Sequence, residues 1–82
     1  MERYAVLLYN GNKDLYVGVG ETSDIEEAKN MCSVVAPLVE QKMIVDSHTD
    51  SREPFHWVEV YDKKDNKVIM RNKSIVENLE LK

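Results

Sequence analysis

Residues 3–19 read RYAVLLYNGNKDLYVGV, and this stretch decides the fold. Arg3 to Tyr9 is rich in Tyr, Val and Leu, residues that suit a pleated, half-buried surface, and reads as a strand. Asn10-Gly11-Asn12-Lys13 reads as a turn, because Asn and Gly tolerate positive φ. Leu15, Val17 and Val19 then alternate with Tyr16 and Gly18, so the chain returns as a second strand. The pair is a hairpin.

The next stretch changes period. Gly20 to Glu27 reads GETSDIEE, with acids at Glu21, Asp24, Glu26 and Glu27 and no base before Lys29. Ser23 followed by Glu26 has the spacing of a capping box, in which the hydroxyl takes a free backbone N–H and the carboxylate reaches back. Asp24, Glu26 and Glu27 fall in the first turn, where the helix dipole favours negative charge. Ile25, Ala28, Cys32, Val35, Ala36 and Val39 recur at helical spacing, widened by Met31, Val34 and Leu38. The spacing predicts a helix from Asp24 to about Ala36. Pro37, which removes one internal hydrogen bond, then either kinks it or ends it.

Beyond the helix, Met43-Ile44-Val45 is a short apolar run, and Asp46 to Pro54 reads as a polar loop. Phe55, Trp57, Glu59 and Tyr61 alternate with His56, Val58 and Val60, which predicts a third strand with His56 half-buried. Asp62 to Asn66 is a turn and Lys67 to Arg71 a fourth strand. Ser74 and Glu77 repeat the capping-box spacing, ahead of a short C-terminal helix. The order ββαββ, with that possible helix after it, implies one α+β domain over residues 1–82. It is a two-layer sandwich: a mostly antiparallel four-stranded sheet with one main helix on one face.

Composition narrows the function. The chain has 82 residues, 43% apolar and 32% charged, and a net charge of −4. Residues 1–41 carry the whole excess, with seven acids and three bases, while residues 42–82 balance at eight and eight. An acidic domain is a poor general binder of nucleic acid and suits a basic surface. No apolar run is long enough to span a membrane and no secretory leader is evident, so the sequence implies a cytoplasmic protein with no membrane partner. The single cysteine cannot form an internal disulfide, which fits a reducing compartment.

No residue set carries chemistry. Cys32 lies in the apolar helix stripe and reads as a core thiol, without the electropositive setting of a nucleophile. Asp46, His48, Asp50 and His56 match no metal-ligand spacing. Gly18-Val19-Gly20-Glu21 is no phosphate loop, since the acids beside it would repel a phosphate. No enzyme activity, cofactor or metal is expected.

Two binding readings remain. In the first, Glu21, Asp24, Glu26 and Glu27 form a compact negative patch for a basic protein, beyond their part in starting the helix. In the second, Trp57 and Tyr61, among Lys63, Lys64, Lys67 and Arg71, form a small nucleic-acid- or ligand-binding surface. One helix covers only one sheet face, so unless the C-terminal helix covers the other, Tyr9, Tyr16, Trp57 and Tyr61 are expected at an interface, and a twofold homodimer is the expected assembly.

In size, acidity, compactness and lack of catalytic residues the chain resembles the small acidic early proteins of large lytic phages, which bind and inhibit host proteins. That resemblance covers the whole chain and transfers no individual residue. It implies an inhibitor, in the host cytoplasm, of a basic host protein such as a DNA-binding nucleoid protein, with DNA mimicry as one route.

Overall fold

The computed structural model describes residues 2–46, 53–72 and 74–75. Strands β1 (Tyr4–Asn10) and β2 (Leu15–Thr22) form the first hairpin, helix α1 (Ile25–Glu40) follows, and β3 (Trp57–Asp62) and β4 (Lys67–Arg71) form the second. A two-residue strand, β5 (Ser74–Ile75), pairs with β4. All pairings are antiparallel and the sheet order is β2-β1-β3-β4-β5. The α+β sandwich with a ββαββ core is therefore as its periodicities predict. Ser74 stands in a strand rather than at a helix start. Residues 76–82, where a C-terminal helix was expected, lie outside the described residues.

The two hairpins are central because β1 and β3 pair in a straight register from Tyr4↔Asp62 to Tyr9↔Trp57. Alternation then sorts their side chains. Tyr4, Val6 and Leu8 of β1 and Val58 and Val60 of β3 join the core under the helix, with Val6, Val58 and Val60 fully buried. Met70 of β4 and Phe55, which precedes β3, complete it. Phe55 thus belongs to the helix side, and not to the face of Trp57 and Tyr61 as its spacing suggests.

The helix meets the sheet through small residues. Ala28, Cys32 and Ala36, each four apart, are fully buried and let the backbone come close. Ile25 and Val34, expected in the stripe, are exposed, Val34 at 71%. Asp24, not Ser23, is the N-cap: its carboxylate accepts from the backbone N–H groups of Glu26 and Glu27. The Ser23 hydroxyl donates to Glu2 instead, at 2.6 Å.

Pro37 lies inside the helix, which runs on to Glu40. The N–H it lacks would have bonded near Ser33, on the exposed side, where water can replace it. A Schellman motif closes the helix: Met43 N–H donates to Leu38 C=O and Lys42 N–H to Val39 C=O, with Lys42 left-handed at φ 58°.

The turns also differ from their sequence reading. No glycine takes a positive φ; that conformation falls on Asp14 in the first turn and Asn66 in the second. Gly11 is required for another reason. A Cβ there would meet the His56 ring at 3.1 Å, and its N–H donates to His56 Nδ1 at 2.9 Å. His56 is exposed at a bend before β3, not half-buried in a strand.

Candidate functional site

The face of the sheet away from α1 gathers the unusual side chains. Cross-strand register places Tyr9 opposite both Tyr16 and Trp57, Leu7 opposite both Gly18 and Glu59, and Ala5 opposite both Glu21 and Tyr61. On the far side Glu59 faces Arg71 and Tyr61 faces Val68.

Four of these residues form one row across four strands. The Tyr16 and Tyr9 rings lie 4.8 Å apart, Tyr9 and Trp57 stack at 4.3 Å and 25°, and the Arg71 guanidinium sits 4.1 Å from the Trp57 ring centre. Adjacent strands are about 4.8 Å apart, so rings that stack along that direction must stand on edge. The faces of Tyr9 and Trp57 are largely engaged, while Tyr16 meets a ring on one side only. Tyr16 at the end of the row is 52% exposed.

Glu59 sits within this face at 2% exposure. Trp57 Nε1 donates to its Oε1 at 2.7 Å. Burial raises the Glu59 pKa, against the lowering effects of the indole hydrogen bond and of Arg71. Arg71 Nε is buried and has no hydrogen-bond partner. The Tyr9 hydroxyl donates to Asp14 at 2.9 Å, which raises its pKa.

Two sets of ion pairs tie the strands together at the end of the sheet where β1 begins. Arg3 binds both Asp62 oxygens, at 2.9 and 2.8 Å, and reaches Asp65 at 3.3 Å. The guanidinium, helped by N–H groups of Asp65 and Lys64, holds the Asp62 carboxyl down at about 2. Lys63 pairs with Glu21 across the sheet.

The four acids of the expected patch are divided between layers. Glu21 lies on the helix-free face against Lys63, Asp24 caps the helix, and Glu26 meets Lys29 at 3.6 Å. Glu27 is exposed in the first helical turn. Of the expected interface residues, Tyr9, Tyr16 and Trp57 come together in the row, and Tyr61 lies on the same face. Lys63 and Arg71 border that face, while Lys64 and Lys67 are exposed at the second turn and the start of β4. Arg71 stacking on Trp57 and Glu59 burying beside it were not foreseen. The i, i+2 spacing of Trp57 and Glu59 is the signal that puts them on one face.

Cys32 is fully buried, donates to the carbonyls of Asn72 and Val58 at 3.3 and 3.7 Å, and has its pKa pushed up to about 11, first by burial and then by Glu59. Asp46 is buried and accepts from the Asn10 amide at 3.0 Å, beside Glu53. His48 and Asp50 lie outside the described residues. Among the described residues no three His, Cys, Asp or Glu groups are placed to hold a metal ion, and no helix is long and apolar enough to cross a membrane.

Among the described residues the fold is a two-layer α+β sandwich with its helix on one side of the sheet. Comparison with protein-family models, curated proteins and solved structures returned no match.

Proposed function

We propose that the protein is a non-enzymatic interaction protein that docks another protein on its helix-free sheet face. The single observation that carries this reading is the row Tyr16–Tyr9–Trp57–Arg71, which lies on the face of the sheet away from α1. Tyr, Trp and Arg are the side chains that dominate binding energy at protein interfaces. Rings held on edge by one another lose little freedom on binding, which lowers the cost of association.

A nucleic-acid role is less well supported by the same geometry. Bases stack on open ring faces, and here the faces of Tyr9 and Trp57 are engaged by neighbouring rings and by Arg71. The charges on the face nearly cancel, with Glu21, Glu59 and Asp14 against Lys63 and Arg71. The net charge of −4 favours a basic partner, as in the inhibitor reading, and a domain seated on such a surface would inhibit by covering it. Phosphate mimicry draws less support, because two of the four acids are paired with lysines and a third caps the helix.

Affinity capture with three baits tests the proposal: wild type, Trp57→Ala with Tyr61→Ala, and Glu26→Lys with Glu27→Lys. Circular dichroism checks each fold. Loss of the captured partner with the face variant, and retention with the helix-end variant, is the expected result. The reverse pattern would move the working surface to the helix start.

A further inference from the structure

Gly18 adjoins the bulge at Val19, and among the described residues neither its backbone nor a neighbour demands glycine. Its φ is not positive, so no backbone conformation demands glycine. A Cβ built there meets nothing within 4 Å, so no neighbour excludes a side chain. A Cβ at Gly20, by contrast, would stand 3.3 Å from Met31 Sδ. A glycine in a strand costs roughly 0.5–1 kcal/mol relative to alanine, and one without an internal reason often marks close approach of another chain. Gly18 floors a shallow notch of about 470 Å³, lined also by Ala5, Leu7, Val19 and Glu21.

The notch lies on an open edge. Among the described residues β2 is the outer strand of the sheet, paired only with β1. Natural edge strands usually carry Lys, Pro or other charge that deters a second strand. Leu15 to Gly20 carries none, and its one irregularity is the bulge at Val19. Leu15 and Tyr16 are each 52% exposed and Val19 is 41% exposed.

We propose that β2 is a homodimer edge: two copies pair antiparallel about Val17, each Tyr16 seated over the partner copy's glycine at position 18, so that two sheets become one. The strand fits itself in this register. Leu15 falls opposite Val19, Tyr16 opposite Gly18 and Val17 opposite Val17, so all three exposed apolar side chains are covered. Tyr16 and Gly18 lie on the same sheet face, where opposite Cβ positions are about 5 Å apart. The flanks also match, with Lys13 before the strand and Glu21 near its end, so antiparallel pairing brings unlike charges together. A twofold axis closes such a contact. The inference does not depend on the docking reading, though a joined sheet would set two docking faces side by side.

Sedimentation of the isolated protein at about 100 µM, a concentration that detects weak dimers, tests it without any partner. Wild type is expected as a two-chain species. Tyr16→Glu with Gly18→Glu sets like charges opposite each other across the twofold and should weaken association at least about tenfold. Tyr16→Lys with Gly18→Glu sets opposite charges there and should restore it. Both pairs occupy exposed positions, so circular dichroism should be unchanged. A single-chain wild type, association untouched by the two glutamates, or no recovery with the lysine–glutamate pair overturns the proposal.

Discussion

Trp57 and Glu59 stand two residues apart on β3 and are joined by an indole–carboxylate hydrogen bond of 2.7 Å on the face of the sheet away from α1. Because burial raises the Glu59 pKa above its unfolded value, the native state holds the proton more tightly. The stability this lends is fully present below the unfolded pKa and is lost as pH rises through the folded pKa. Glu59→Gln keeps an acceptor for the indole and cannot ionise. It should raise stability at neutral pH and remove this part of the pH dependence. Urea unfolding followed by Trp57 fluorescence, over roughly pH 4 to 8, measures both.

Asp62 has the opposite sign. Arg3 lowers its pKa to about 2, so its contribution is present above the unfolded value near 3.8 and is lost as pH falls toward 2. Asp62→Asn should lower the melting temperature at neutral pH and flatten the acid limb. An unchanged acid limb would show that the bidentate pair does not hold β1 to β3 in solution.

The helix end offers a stabilising change. Lys42 takes a left-handed φ of 58°, a conformation that glycine adopts freely. Lys42→Gly should raise the unfolding free energy by about 0.5–1 kcal/mol, read as a higher urea midpoint at constant slope. A lower midpoint would mean that the Lys42 side chain contributes more than its backbone costs.

Cys32 should resist thiol reagents in the native state, being fully buried with its pKa pushed up to about 11. Its modification rate should follow global unfolding as urea is added. Rapid labelling in buffer would contradict the packing of α1 on the sheet.

Much of the fold was legible because it rests on side-chain period. Leu15, Val17 and Val19 in β2, and Val58 and Val60 in β3, alternate as strands must, and Ala28, Cys32, Ala36 and Val39 recur as a buried helix face must. What failed depends on contacts that period does not encode. Asp24 displaced Ser23 as cap because Glu2 engages the Ser23 hydroxyl from β1's side of the chain. His56 is fixed by Gly11, 45 residues away. Pro37 stayed helical because its missing bond falls in the exposed last turns. At the candidate site the aromatics were legible as residues, but their row was not. It follows from the β1–β3 register, which aligns Tyr9 with Trp57 and leaves Arg71 beside the indole.

The central claim is that a partner docks on the helix-free face. A photo-crosslinking amino acid placed at Tyr61, on that face and away from the β2 edge, tests it against the same group placed at Val34, on the outer side of the helix at 71% exposure. Irradiation in lysate should give a discrete protein adduct from position 61 and none from position 34, and the adduct should disappear when excess unlabelled wild type competes. An adduct from position 34, with none from position 61, would contradict the account.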